Sequence, residues 1–390
     1  MIPYGRQDIS EKDIQLVVDV LKSDFLTQGP TVPAFEKSVA DYCDVQYAYA
    51  VNSATSALHI SCLALGVGKG DLVWTSPITF VASANCALYC GADVDFVDID
   101  AATYNMSISV LEDKLVKAEK AGRLPKVVIP VHLAGQSCEM DKIHALGQKY
   151  GFRIIEDASH AIGGKYKEKP IGGCQYSDIT VFSFHPVKII TTGEGGMCLT
   201  NDSDLAISLN RYRSHGIVRH PSEMTHVSHG PWYYQQIHLG YNYRMTDIHA
   251  ALGLSQMNRL DEFVKARHLI ATRYNELLNE DWIELPWQHP DTYSGFHLYV
   301  IRVKKNKKGI THKQLFEKLR TAGILVNLHY IPVYTHPYYE AMCYDRKEFP
   351  QAESYYSEAI SLPMFTTLTE SEQKFVAEAI KKPSGFQNLF

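Results

Sequence analysis

The sequence predicts an α/β protein: a large domain with a mostly parallel sheet flanked by helices, followed by a smaller C-terminal α+β domain. Three observations lead there. From Pro30 to about residue 200, short β-rich runs alternate with helical stretches, the pattern of strands joined by crossover helices. Near Thr246 the periodicity becomes long and helical, then mixed. Of the 390 residues, 45% are hydrophobic and 21% charged, which gives a substantial core and excludes a disordered, collagen-like or disulfide-scaffold chain.

The elements follow in order. Ser10 is placed to cap a first helix in which Ile14, Val17, Val18 and Leu21 recur at helical spacing, and Gln28-Gly29-Pro30 ends it. Strands are expected at Tyr47–Val51, Leu72–Trp74, Val94–Val97, Val127–Val131, Arg153–Glu156, Ile179–Phe184 and Met197–Thr200. A long amphipathic pattern then runs from Thr246 through Leu252, Leu260, Val264 and Leu269 toward Leu277. After it come a strand at His297–Val303, a helix at His312–Leu319 and a strand at Ile324–His329. The boundary is therefore set between a large domain, 1–245, and a small one, 246–390. The basic run from Lys304 to Gly309 reads as a solvated turn.

Composition also excludes function classes. Lys and Arg total 38 against 43 Asp and Glu, a net charge of −5, so nucleic acid is not an expected partner. Eight cysteines without a CxxC pair read as small core residues of a reducing compartment. No apolar run reaches the ~20 residues of a membrane span, and the first residues have no stretch of signal-peptide length. A soluble cytoplasmic protein without membrane contact is expected. His215, His220, His226, His229 and His238 form a loose cluster broken by Pro221, Gly230 and Pro231; their spacing does not suit zinc, and no metal is expected.

Chemistry concentrates in three places. Lys188 follows the β-run Ile179–Phe184 and precedes Thr191-Thr192-Gly193-Glu194-Gly195-Gly196, a strand end opening into a glycine-rich loop. Asp157 lies at the carboxyl end of a buried strand, where a carboxylate needs a cationic partner. Asn52-Ser53-Ala54-Thr55-Ser56 is a strand-to-helix turn of small and hydroxylated residues, offering amides and hydroxyls to a phosphate. Taken singly, a loop lysine is ordinarily solvated and an aspartate at a strand end ordinarily caps a helix. Together, in the order cradle, aspartate, lysine, they form the set that pyridoxal phosphate requires: an amine for the Schiff base, a carboxylate for the pyridine nitrogen and a phosphate site.

Ser183-Phe184-His185-x-x-Lys188-x-Ile190-Thr191-Thr192-x-Glu194-Gly195-Gly196, with Gly135-Gln136, Glu156-Asp157-Ala158-Ser159-His160-Ala161, Gly240 to Asp247 and His329-Tyr330-x-Pro332, resembles the DegT/DnrJ/EryC1/StrS family of nucleotide-sugar aminotransferases across essentially the whole chain. The resemblance implies the type I aminotransferase fold and a homodimer with shared active sites. It implies Lys188 as the Schiff-base lysine, Asp157 as the pyridinium partner and Phe80 as the plate on the ring. Ala54, Thr55 and Ser183 would bind the phosphate, with Asn242 reaching it from the neighbouring subunit and His160 beside the phenolic oxygen. Tyr4, Leu26, Thr27, His329 and Tyr330 are implied for the sugar nucleotide.

Leu26-Thr27-Gln28-Gly29, Asn52 to Leu58 and Arg213-Ser214-His215-Gly216 are most similar to the branch serving pseudaminic acid biosynthesis. That branch implies a UDP-linked 4-keto-6-deoxy-N-acetylhexosamine as acceptor and glutamate as donor. Many relatives have Gly-Thr where this chain has Ala54-Thr55; an alanine there still donates its N–H. Perosamine or 4-amino-4-deoxy-arabinose transaminases are the rival readings inside the family, and a non-catalytic cofactor-binding or metal-binding protein is the rival outside it. A dehydratase relative would carry His at the position of Lys188.

Overall fold

A computed structural model describes residues 1–304 and 309–382. Positions 305–308 of the basic run lie outside the described residues. The larger sheet has seven strands, β1 (Tyr47–Val51), β2 (Leu72–Thr75), β3 (Asp93–Phe96), β4 (Val127–Ile129), β5 (Arg153–Asp157), β6 (Ile179–Ser183) and β7 (Gly196–Thr200), in the order β1-β7-β6-β5-β4-β2-β3. Only β7 runs against its neighbours. The mostly parallel sheet is thus present, with each expected strand within two residues of its observed ends.

Register decides where the chemistry lies. Gly196 pairs with both Val51 and Ser183, and Asp157 pairs with Val181. The ends of β1, β5 and β6 and the start of β7 therefore share one edge of the sheet. In open α/β sheets ligands bind at the carboxyl ends of the strands.

Helices cover both faces. The N-terminal α1 (Glu11–Leu21) is closed by a capping box between Ser10 and Asp13. Its apolar stripe does not face the core as the spacing predicts: Ile14 is 48% and Leu21 54% exposed, while Asp13 is buried. An ionic anchor lies on the inward side, where Asp13 Oδ2 accepts from Gln256 Nε2 and Arg259 Nη2, both at 2.8 Å, with Val20 also buried and Glu11 and Asp19 exposed. Next come α2 (Thr31–Cys43), α3 (Ala54–Ala64), α4 (Ala82–Tyr89), α5 (Ile108–Lys120), α6 (Met140–Tyr150) and α7 (Ser203–Arg213). Phe35 of α2 meets Phe184 edge-on at 5.2 Å, and both are fully buried beneath the Lys188 loop. Truncating either ring to Ala costs about 3–5 kcal/mol.

The long pattern from Thr246 resolves into two helices, α8 (Asp247–Met257) and α9 (Leu260–Leu277), broken at Asn258-Arg259. Asp247 looks back to the start of α2, accepting from the Gly29 and Thr31 amides at 2.8 Å and so supplying its missing cap. Along α9, Leu260, Phe263 and Val264 join the core around Phe35 and Phe184. Its second half, Ile270, Ala271 and Tyr274, joins a separate core. That core lies under a three-stranded antiparallel sheet, β8 (Ile283–Glu284), β9 (Tyr299–Val303) and β10 (Ala359–Leu362), with α10 (His312–Thr321) and α11 (Pro350–Glu358) between β9 and β10 in the chain and α12 (Glu370–Lys381) after them.

The expected strand Ile324–His329 is only two residues long. Ile324–Leu325 pair in parallel with Ile2–Pro3. Asn327 then makes a single bridge to Ser361 of β10 while its side chain accepts from the Leu328 amide at 2.9 Å, and residues 327–330 continue to the edge where the large sheet's strand ends lie. The same pairing delivers Tyr4 beside His329, ring centroids 5.1 Å apart.

Candidate active site

A cavity of about 730 Å³ opens at that edge, lined by residues of the large sheet's strand ends and of the segments at His297 and Asn327–Tyr330. It brings together Tyr4, Ala54, Thr55, Phe80, Asp157, His160, Ser183, Lys188, His329 and Tyr330. Leu26, Thr27 and Asn242 are not in its wall; all three are exposed. Thr27 bridges Thr246 and Asn242 bridges Ser214, so each is held in place by backbone pairing.

The lysine loop folds on itself before it reaches the cavity. The Phe184 amide donates to Gly195 O at 2.9 Å, and both the Thr192 amide and the Thr191 hydroxyl donate to Phe184 O. This closes the loop at its neck and projects Lys188 inward. Burial of the amine lowers the Lys188 pKa to about 7, against the opposing pull of the Asp157 carboxylate. Near neutral pH a large share of the amine is therefore unprotonated, as a base or nucleophile must be.

Asp157 is 5% exposed. Its Oδ1 accepts from the Ser159 hydroxyl at 2.6 Å and the Ser159 amide at 3.2 Å, and its Oδ2 from Ser83 Oγ at 2.6 Å. None of these donors is a cation. A buried carboxylate held by hydroxyls and facing a cavity lacks the counter-charge that a protonated pyridine ring supplies.

Across the cavity, α3 begins with Ser53 as N-cap, its hydroxyl accepting from the Ser56 amide at 3.1 Å. That leaves the Ala54 and Thr55 amides at a helix N-terminus free for an anion. Gly196 is what lets β7 approach: a Cβ there would stand 2.5 Å from Ala54 N. Phe80, 57% exposed, presents its ring at the mouth, 6.2 Å from Tyr330.

The wall behind Lys188 is built of imidazoles. His160 Nδ1 accepts from the Ala134 amide at 3.3 Å, which leaves the proton of the neutral ring on Nε2, 3.1 Å from Tyr330 Oη. His297 Nε2 is 3.5 Å from Lys188 Nζ, and its ring lies 4.3 Å from that of His160. Gly135 permits that approach, since a Cβ would meet Phe296 N at 2.7 Å and His160 O at 2.9 Å, at a φ of +107°. Burial and the nearby Lys188 charge hold His160 and His297 well below the ordinary histidine range and His329 at about 3. All three rings are neutral.

Sequence reasoning missed Ser83, Ser159, Asn327 and His297. Ser83 lies three residues after Phe80 and Ser159 two after Asp157, so a helical turn and a strand end could have suggested them. Nothing local marks His297, which is 109 residues from Lys188 and meets it only through the packing of the two cores. The loop histidines are engaged locally, His220 with Ser222 at 2.7 Å and His226 with Thr225 at 2.9 Å. Among the described residues, no group of three or more His, Cys, Asp or Glu side chains is arranged for a metal ion, and no helix is long and apolar enough to cross a membrane.

The chain is similar to known proteins along its length. Residues 7–381 match the DegT/DnrJ/EryC1/StrS aminotransferase family. The chain is 38% identical over 383 residues to the spore coat polysaccharide biosynthesis protein SpsC of Bacillus subtilis, covering 97% of this chain and 96% of that one. It is 36% identical over 395 residues to the UDP-4-amino-4,6-dideoxy-N-acetyl-beta-L-altrosamine transaminase of Campylobacter jejuni, with 97% and 96% covered. Its fold superposes with a TM-score of 0.88 on Helicobacter pylori PseC, an aminotransferase of pseudoaminic acid biosynthesis, at 31% identity and 98% of both chains. With an amine, an unpaired carboxylate and an open helix N-terminus around one cavity, the chain belongs to the DegT/DnrJ/EryC1/StrS aminotransferase family and is a pyridoxal-phosphate-dependent sugar aminotransferase.

Proposed function

We propose that this enzyme moves the amino group of glutamate to C4 of a UDP-linked 4-keto-6-deoxy-N-acetylhexosamine, UDP-2-acetamido-2,6-dideoxy-β-L-arabino-hex-4-ulose, in pseudaminic acid biosynthesis. The observation that carries the chemistry is Lys188, an amine with a pKa near 7 in the same cavity as Asp157 and the α3 N-terminus. The substrate is supported by likeness to the Campylobacter jejuni transaminase and Helicobacter pylori PseC.

Pyridoxal phosphate supplies an electron sink that stabilises negative charge developing on the carbon attached to the transferred nitrogen. The rest falls to the protein. Ala54, Thr55 and Ser183 would bind the phosphate, Asp157 would pair with the ring nitrogen, Phe80 would pack on the ring and His160 would stand by the phenolic oxygen. Lys188 Nζ takes the α-proton of the donor and, in the second half, moves a proton at C4 of the sugar. Net, the α-amino group of glutamate replaces the C4 oxygen, and water carries oxygen to the α-carbon of 2-oxoglutarate. Tyr4, His329 and Tyr330, with Leu26 and Thr27, form the sugar-nucleotide side.

The site is completed by a second copy in a homodimer. Ile14, Leu21, Phe25 and Leu26 present exposed apolar surface at one end of the chain, and Asn242, exposed here, is assigned to the partner's phosphate site.

The test is a visible absorption spectrum on adding glutamate, then the 4-keto sugars of both configurations. The cofactor band shifts with glutamate and returns with the L-arabino sugar if the reading holds. Return only with the D-xylo isomer or a dTDP sugar keeps the mechanism and replaces the substrate. Absence of any band after reconstitution removes Lys188 and Asp157 from their roles.

A further inference from the structure

Three buried histidines share the cavity with Lys188, and hydrogen bonds pin two of them to one tautomer. His160 Nδ1 accepts from the Ala134 amide, so its proton is on Nε2. His329 has Nε2 3.4 Å from Asn327 Nδ2, which can only donate, so its proton is on Nδ1, toward Ser361 Oγ at 2.8 Å. His297 differs. Its Nε2 faces Lys188 Nζ at 3.5 Å, and its Nδ1 is buried without a hydrogen-bond partner among the described residues. Only Lys188 is left to select which of its nitrogens carries the proton.

Nor can His297 readily become cationic. Besides Lys188 and the neutral rings of His160 and His329, it is backed by Arg267, whose buried guanidinium donates to the carbonyls of Phe296 at 3.1 Å, His297 at 3.2 Å and Met364 at 3.1 Å. Asp157, the buried carboxylate of the cavity, is held by Ser83 and Ser159. Tyr4 and Tyr330 are protonated phenols, and His185 and Glu194 are exposed at the rim.

A lysine that shuttles protons alternates between ammonium and amine. A carboxylate partner would favour the ammonium, and a fixed donor would repel it. A neutral acceptor serves both states, because ammonium and amine each keep an N–H to donate. We propose that His297 is a positioning residue for the Schiff-base lysine: with its one proton on Nδ1 throughout, its Nε2 accepts an N–H from the ammonium and from the amine alike, so that Nζ is held in either charge state with the amine's lone pair left for the substrate. The proton lost by Nζ goes to substrate or solvent. This rests on the reading of Lys188 given above.

The test uses the full chain stripped of cofactor. The ionisation of Lys188 is followed by the pH dependence of its modification by trinitrobenzenesulfonate, read by peptide mass spectrometry. The wild-type midpoint is expected near 7. His297→Leu removes the acceptor, which harms the ammonium more than the amine, so the midpoint falls by about one pH unit. His297→Gln, whose amide can offer oxygen or nitrogen by rotating, restores most of the shift; a purely packing role would leave the two variants alike. A Leu midpoint at or above wild type overturns the proposal.

Should the Leu variant not fold, nitrogen-15 NMR of the wild-type imidazole decides. His297 Nε2 is expected to carry no proton on either side of the Lys188 midpoint, and a proton on Nε2 on either side refutes the idea. Borohydride reduction of the loaded protein separates the two readings: a pyridoxyl group found elsewhere than Lys188 removes the role of the lysine, whereas a protonated Nε2 removes only that of His297.

Discussion

Ser83 Oγ donates to Asp157 Oδ2 at 2.6 Å, so a hydroxyl on α4 orients the carboxylate that ends β5. Phe80, three residues before Ser83, stands at the mouth of the same cavity. One short helical segment thus offers both the aromatic plate and the second anchor of the carboxylate. Hydroxyls can aim a carboxylate without neutralising it, which leaves its charge for the ring nitrogen that the proposed function assigns to it.

Replacing Ser83 with Ala removes one hydrogen bond to a charged acceptor, about 1.5–3 kcal/mol in a buried site. Because Ser159 still holds the other oxygen, the expected result is a folded enzyme that binds pyridoxal phosphate roughly tenfold or more weakly. Spectrophotometric titration of stripped protein measures this. Unchanged affinity would mean that Asp157 is not the partner of the ring nitrogen.

The lowered pKa of Lys188 sets an acid limit on covalent uptake of the cofactor. Below about 7 the neutral amine falls tenfold per pH unit, so the rate at which stripped protein takes up pyridoxal phosphate covalently declines with that slope and levels off above 7. Stopped-flow absorbance across pH 5 to 9 reads the curve. A midpoint near the ordinary lysine value, or turnover by Lys188→Ala, would contradict the assignment.

Much of this was legible in the chain, because the strand runs, the Lys188 loop, the Asp157 strand end and the Ser53 cap are local patterns of a few residues each. What was illegible came from long-range geometry. Asp13 anchors α1 through Arg259 with Val20 inward, which leaves Ile14 and Leu21 exposed where their spacing predicts burial. Asn327 turns a β-rich run into a cavity wall, and His297 reaches Lys188 only because two cores meet. Periodicity carries no information about such meetings.

The neutral histidines make the fold acid-sensitive. In the unfolded chain each titrates near 6.5, whereas burial holds His160 and His297 well below that and His329 at about 3. The unfolded state therefore binds more protons below 6.5, and stability, complete above that pH, is lost as pH falls toward 3. Up to three protons contribute, each at most about 1.4 kcal/mol per pH unit. Urea unfolding of stripped protein at pH 7.5 and 5.5 should show lower stability at 5.5, and His160→Gln should flatten the difference. A pH-independent midpoint would show that these rings are protonated in the folded state.

The exposed stripe on α1 bears on the second subunit. Ile14 and Leu21 lie seven residues apart on one face, and Phe25, 53% exposed, continues it past the helix end. The inward face of α1 is already committed to Gln256 and Arg259, so water or another copy must cover the stripe. A double substitution, Leu21→Glu with Phe25→Glu, puts two like charges there and touches no buried residue. Sedimentation is expected to show a dimer becoming a monomer with an unchanged thermal transition of the stripped chain at low concentration. If Asn242 completes the neighbouring phosphate site, that monomer also loses transaminase activity more than tenfold and holds the cofactor weakly. A dimer that survives the substitution places the contact elsewhere, and an active monomer removes Asn242 from the site.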